Sequence, residues 1–171
     1  MVTNRIDLET IIVADAGPLI HLTELGALRF LADFGRVLVP DAVWSEVSQH
    51  RPDALLQLGD VLKKIAPPPP SPEMQSVGKL YTLHRGEWEA LLVCSQMKGS
   101  RLLTDDTAAR LAAQAIQVAS TGTIGILLRA LRRDLCRKAE LIALLESIPI
   151  STSLHLRPSL LQQIIAEVAS I

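Results

Sequence analysis

The sequence predicts an α/β fold organised around a parallel sheet, and three observations carry that prediction. Short aliphatic or β-branched runs alternate with helix-period segments along the chain, the pattern that produces parallel pairing through crossover helices. Its 171 residues are 49% apolar, enough to bury one core without metal or disulfide staples. Two of the predicted strands also stop abruptly at aspartate, Asp15 in one case and Asp105-Asp106 in the other.

Thr10-Ile-Ile-Val-Ala14 is a short β-branched apolar run ending in Asp15-Ala-Gly-Pro18, which reads as a fully buried strand followed by a tight turn. Asp15 therefore stands at a strand's C-terminal end. Leu19, Leu22, Leu25 and Leu28 then recur at helical spacing, with Gly26 as a break and Phe34-Gly35 closing the unit. Arg36-Val-Leu-Val-Pro40 is the second strand. Asp41 caps a helix over 41–48 in which Ala42 or Val43 shares a face with Val47, while Glu46 projects from a neighbouring face.

From Pro52 to Lys64 the pattern fits a short helix, with a strand around Val61 to Ile65. Pro67 to Pro70, with Pro72 beyond, are extended because each ring fixes φ and removes a backbone donor. Neither flank is complete without the other, so residues 66–73 read as a loop inside one domain spanning 1–171 rather than as a linker. Gly86 to Met97 is a helix, Ser100 to Thr104 a strand that stops at Asp105-Asp106, Thr107 to Gln114 an Ala-rich helix, and Ile116 to Ala119 another strand. Thr121-Gly-Thr-Ile-Gly125 opens a helix through about Leu135. Two more helices, Lys138 to Ser147 and Pro158 to Ala169, form a helical extension over 138–171, the second begun by a first-turn proline. Its Leu160, Leu161, Ile164, Ile165 and Val168 either complete the core or meet another subunit.

Composition narrows the function. Aromatics make up only 3% of the chain, which disfavours the stacked Phe/Tyr platforms of RRM, OB and cold-shock modules. Seventeen Lys/Arg against eighteen Asp/Glu give a formal charge of −1, so any contact with a polyanion must be local. Cys94 and Cys136 lie far apart with no CxxC, which points to core thiols in a reducing compartment and away from a structural metal. The N-terminus lacks a basic segment followed by an unbroken apolar stretch, and the best run, Ile11 to Ile20, is broken by Asp15, Gly17 and Pro18. Neither a signal peptide nor a membrane span is expected, and the expected location is cytoplasmic.

In an open parallel sheet, ligands bind outside the carboxyl ends of the strands. Asp15, Asp105 and Asp106 all follow strands directly, and Glu46 and Glu87 lie early in helices that begin near the same edge. Gathering such carboxylates costs about 1 to 4 kcal/mol per close pair, a cost that a divalent cation removes. Mg²⁺ and Mn²⁺ take this oxygen chemistry and suit phosphodiester hydrolysis, in which they deprotonate a water and offset charge on the transition state. Taken singly, each acid also fits as a helix cap or a charge on a helix dipole.

Ile12-Val-Ala-Asp-Ala-Gly-Pro-Leu-Ile20, Val39-Pro-Asp-Ala-Val-Trp-Ser-Glu-Val47, Gly86-Glu-Trp-Glu-Ala90, Leu102-Leu-Thr-Asp-Asp-Thr-Ala-Ala-Arg110 and Gly122-Thr-Ile-Gly-Ile-Leu127 follow one another over roughly residues 10–130. In order and spacing this set resembles the PIN-domain family, and looks most like its VapC-related branch of prokaryotic PIN-like proteins. The resemblance implies a three-layer α/β/α sandwich with a central parallel sheet and a metal-dependent endoribonuclease using Mg²⁺ or Mn²⁺. It further implies the option of a toxin of a toxin–antitoxin pair, with RNA as substrate, a small antitoxin protein over the acidic crevice, and a homodimer. Asp15, Glu46, Glu87 and Asp106 match the four family acids. Asp15 and Asp106 would be the principal metal ligands, Glu87 a ligand or water-positioning base, and Glu46 a second-sphere or second-metal acid. Glu89 rivals Glu87, and Asp105 replaces or assists Asp106.

Other features have two readings each. Arg129, Arg133 and Arg137, beside Arg132 and Lys138, form a basic stripe if one helix runs that far, suited to phosphate contacts or merely a solvated face. Thr123, with Thr121 and Gly122, offers backbone N–H groups to a phosphate or forms an ordinary cap. His21, His50, His84 and His155 show no ligand spacing and read as surface or core residues. Trp44 and Trp88 read as packing beneath the site. Two competing functions stand beside the nuclease: a catalytically silent PIN-like module that binds nucleic acid or protein, and a phosphatase of the haloacid-dehalogenase type. The phosphatase is weakened because it wants a second Asp where this chain has Gly17.

Overall fold

Alternation of side chains along five short strands builds the molecule. The structure, a computed structural model, describes residues 10–171; the expectation about a signal segment at the N-terminus falls largely outside the described residues. The chain runs β1 (Ile12–Ala14), α1 (Ala16–Glu24), a 3-10 turn (Leu28–Phe34), β2 (Val37–Pro40), α2 (Asp41–His50), α3 (Pro52–Gln57) and β3 (Leu62–Ile65). It continues through α4 (Pro72–Leu80), α5 (Arg85–Ser95), β4 (Arg101–Leu103), α6 (Thr107–Ala115), β5 (Ala119–Thr121), α7 (Thr123–Arg132), α8 (Lys138–Ser151) and α9 (Pro158–Ser170).

All five strands pair in parallel, in the order β3-β2-β1-β4-β5, with Ala14 opposite Leu103 and Val13 opposite Leu38 and Leu102. Because successive side chains point to opposite faces, Ile12, Ala14, Val37, Val39 and Leu103 enter one core while Val13 and Leu102 enter the other. The first core is closed by α1, α2, α3, α7, α8 and α9, and the second by α4, α5 and α6. This is the parallel sheet that the sequence pattern predicts, in the α/β/α sandwich that the resemblance implied. Among the described residues, no helix is long and apolar enough to cross a membrane.

Several elements depart from expectation for local reasons. Helix α4 takes in the last two residues of the expected 66–73 loop and runs on through a stretch to which the sequence assigns no element; it is begun by Ser71, whose Oγ accepts from Met74 N at 3.2 Å, with Pro72 in the first turn. Met74 and Val77 are its buried stripe. The last strand begins at Ala119 rather than Ile116, because Gln117 takes a φ of +58° at the exit of α6, and Ile116 and Val118 pack on the second core instead. Helix α7 stops at Arg132, short of Leu135, and Asp134 adopts a φ of +56°. The continuous stripe Arg129–Arg133–Arg137 therefore does not form, and Arg137 instead precedes α8.

The C-terminal helices belong to the first core. Leu141, Leu145 and Ile148 of α8 and Leu161 and Val168 of α9 are buried with the β1 side chains. Leu145 is fully buried. We therefore expect Leu145→Ala to cost about 2–5 kcal/mol of unfolding free energy by chemical denaturation, the penalty of an unfilled core cavity. A loss under about 1 kcal/mol would detach α8 from the core that supports the sheet.

Candidate active site

Strand order reverses at β1, whose successor β2 lies on one side and whose other neighbour β4 comes much later in the chain. Such a switch point opens a crevice beyond the strand ends. Here that crevice is a cleft of about 460 Å³ lined by Asp15, Glu46, Glu87, Asp105 and Asp106, with His21, His84 and His155 on its walls. The cleft is thus supplied by the residues after β1 and β4 and by the helices α1, α2 and α5.

Asp15 leaves β1 directly and caps α1. Its N–H donates to Leu103 O at 2.8 Å, holding it in the sheet, while Oδ1 accepts from Ala16 N at 2.8 Å and Oδ2 from Thr104 Oγ1 at 2.9 Å. Thr104, fully buried, also accepts from Asp106 N at 3.2 Å, so one hydroxyl ties the ends of β1 and β4 together. Asp106 caps α6 through Oδ1, which accepts from Ala109 N at 2.8 Å. Glu87 sits in a reciprocal cap in which its Oε2 accepts from His84 N at 2.8 Å. Glu46 is exposed, and its carboxylate makes no hydrogen bond or ion pair among the described residues.

Gly86 stands at the centre of this gathering. A Cβ there would lie 3.2 Å from Val43 Cγ2, 3.5 Å from Glu46 Oε2 and 3.6 Å from Asp15 Oδ1, in the space around which α2, α5 and β1 converge.

The structure places the members of the two alternative pairs differently. Glu89 does not reach the cleft: its Oε2 accepts from Ala42 N at 2.7 Å and its Oε1 from Arg85 Nε at 2.9 Å, so it caps α2 from α5. Asp105 lines the cleft but is held by three protein donors, His21 Nδ1 at 2.8 Å and Thr123 Oγ1 at 2.6 Å on Oδ2, and Thr123 N at 2.7 Å on Oδ1. A Cβ on Gly122 would stand 2.6 Å from Asp105 Oδ1, so a glycine is required where the chain passes that carboxylate. Asp106 is the member of the pair with an oxygen uncommitted among the described residues.

The expected nucleic-acid contacts are not at this cleft. Thr123 is fully buried, and both its N–H and its hydroxyl go to Asp105 rather than to a ligand. Arg129 and Arg133 both pair with Asp33, at 2.7 and 3.2 Å, and Arg129 lies over the Phe34 ring, 4.6 Å from its centroid. With Arg101 and Arg132 they line a separate cleft that includes Ile12, at the opposite end of β1 from Asp15. Thr104, His21, His84 and His155 are the site residues that sequence reasoning missed. The His84-x-x-Glu87 spacing of a capping box was a readable signal, and His21 lies one helical turn from Gly17, which faces Asp105.

Burial pushes the Asp15 carboxyl up to about 7, with the charges of Glu87 and Glu46 adding to the rise and the bonds from Ala16 and Thr104 opposing it. Burial likewise raises Glu87, helped by Asp106 and Glu46 and opposed by the bond from His84 N. Crowded, desolvated carboxylates are the electrostatic setting a divalent cation relieves. All oxygens offered are hard donors of the kind Mg²⁺ and Mn²⁺ take. In the rotamers shown, no three His, Cys, Asp or Glu side chains among the described residues already close on one point tightly enough to hold an ion. Each of Asp15, Glu87 and Asp106 is turned in part toward a backbone or hydroxyl donor, while Glu46, one oxygen of Glu87 and one of Asp106 stay uncommitted among the described residues. The donor chemistry, carboxylate oxygen throughout, fits such a cation.

A family model described as a PIN domain matches residues 11–170. No curated protein matches the chain.

The raised Asp15 carboxyl has a signed consequence for stability. Its protonated form is favoured by folding, so this contribution is full below about pH 3.8 and is lost as pH rises through about 7. The wild type should lose on the order of 1–4 kcal/mol across that interval relative to Asp15→Asn, which keeps the cap but does not ionise. Denaturation of both proteins at pH 5 and pH 8 without divalent metal checks this; parallel pH dependence of the two would show that Asp15 is not under electrostatic stress.

Proposed function

The chain belongs to the PIN-domain family, and from that premise we propose that it is a metal-dependent endoribonuclease that hydrolyses RNA phosphodiester bonds in the carboxylate cleft. One observation carries the reading: Asp15, Glu46, Glu87 and Asp106 come from four separate elements to line one cleft at the sheet's switch point. Structural caps alone give no reason for four carboxylates, two of them buried, to line one cleft.

Asp15, Glu87 and Asp106 are the residues that would hold Mg²⁺ or Mn²⁺, which when bound supplies charge neutralisation and lowers the pKa of a water. Asp15 is the fixed point, since its two oxygens are oriented by Ala16 N and Thr104 Oγ1. Thr104 couples it to Asp106, so the strand ends keep their spacing. Glu87 is oriented by His84 N through one oxygen and presents the other. Glu46, without a partner among the described residues, is the carboxylate free to turn and accept a proton from a water in the cleft. Asp105 acts as a strut between α1 and α7 through His21 and Thr123. A toxin role, a small antitoxin protein seated over the cleft and a second copy of the chain are the biological setting and protein partners this reading carries with it.

Calorimetric titration of Mn²⁺ and Mg²⁺ into the wild type and Asp15→Asn, with labelled RNA cleavage on the same samples, tests the proposal. We expect binding to disappear in Asp15→Asn and cleavage to fall by about 10²-fold or more, the scale of loss when a reacting centre is misplaced. Undiminished cleavage in Asp15→Asn sinks the assigned site. RNA binding by the wild type without metal-stimulated hydrolysis would instead identify a silent binding module.

A further inference from the structure

One turn of helix α5 faces two clefts. His84 and Glu87, three residues apart, line the carboxylate cleft, while Arg85 and Trp88, also three apart and rotated to the next face, line a second groove of about 630 Å³. Gln75, Gly78 and Lys79 of α4 and Leu83 form its other wall. A helix is roughly 10 Å across, so the two openings are near neighbours around one first turn.

The groove is built around an indole. Trp88 is half-buried, and a Cβ on Gly78 would lie 3.0 Å from its Cη2 and 3.1 Å from its Cζ3. The missing side chain at 78 is therefore what lets the ring lie along α4. Two cations flank it. Lys79 is exposed and makes no ion pair among the described residues. Arg85 is largely exposed and gives its Nε to Glu89, which leaves the terminal N–H groups of the guanidinium available.

We propose that this groove is a subsite for single-stranded RNA, in which one nucleobase stacks on Trp88 and an adjoining phosphate meets Lys79 and Arg85. The inference rests on the RNA-substrate reading above and adds where the strand is held. Its physical logic is charge and shape. Five carboxylates repel a phosphate chain, so a strand reaching the carboxylate cleft needs cations and a stacking surface beside it. Stacking on an aromatic face is sequence-tolerant, and an Arg beside the ring reinforces it. In this aromatic-poor chain, Trp88, packed on the second core and against Gly78, lends the groove an indole surface one residue from Glu87.

The test measures binding without cleavage. A labelled decauridylate is titrated with protein in EDTA, following anisotropy and, in a Trp44→Phe background, the quenching of Trp88 fluorescence. Trp88→Leu keeps apolar packing but removes the π-face, and should weaken binding by about 5- to 150-fold, the range base stacking supplies. Lys79→Gln, at an exposed position, should weaken binding and reduce the slope of log K against log salt by about 0.7. Circular dichroism and thermal melting establish that both variants fold. Unchanged affinity in both variants, binding without Trp88 quenching, or no binding by the wild type would overturn the subsite. If the variants lose binding while the wild type shows no metal-dependent hydrolysis, the subsite stands and the nuclease reading falls. Metal-dependent cleavage with an unchanged KM in Trp88→Leu overturns the subsite and leaves the nuclease reading standing.

Discussion

The rest of the structure depends on one constraint: a carboxylate buried at the end of a central strand must be held in place and kept compatible with its charge. Asp15 emerges from β1, which is covered on both faces, and its oxygens are satisfied by Ala16 N and Thr104 Oγ1. Those two bonds oppose the upward push of burial without cancelling it. The same threonine receives Asp106 N, so the electrostatic problem of one strand end and the geometry of the other are coupled through a single hydroxyl. Removing either partner from this set would leave a buried polar group unsatisfied, which costs more than the bond itself contributes.

Space for the cluster comes from absent side chains. Gly86 lets α5 approach α2 and β1, and Gly122 lets the chain entering α7 pass Asp105. In both places the obstacle is packing rather than a special backbone conformation, since neither glycine has a positive φ. The acids thus divide according to what touches them. Asp105 and Glu89 are bound by several protein donors and hold helices together, whereas Glu46, Glu87 and Asp106 keep oxygens uncommitted among the described residues. Adjacent positions in sequence, Asp105 and Asp106, end up with different partners because the turn after β4 sends one toward α7 and the other onto the N-terminus of α6.

Much of this is legible in the chain alone. The apolar run before Asp15 and the run before Asp105 mark buried strands, and the alternation of strands and helices marks a parallel sheet. Helix α4 is not legible: its residues 72–80 have a modest apolar stripe, and the prolines beside it dominate the pattern. The basic stripe fails for a related reason. Arg129 and Arg133 have helical spacing, but α7 ends at Arg132 and Asp33, a hundred residues from Arg133, claims both side chains.

The sequence by itself determined the fold class, the strand ends that carry Asp15 and Asp106, and the membership of Glu46 and Glu87 in the same cleft. Those follow from periodicity, from the rule that parallel sheets bind at their carboxyl edge, and from an ordered set of short motifs. Only the tertiary structure placed Glu87 at the cleft and Glu89 on the start of α2, bonded Asp105 to His21 and Thr123, and brought His21, His84 and His155 to the cleft walls. The physical reason is that periodicity fixes which face of an element a residue occupies, while the partner it meets across space depends on how two elements pack, and that information is not local in the chain.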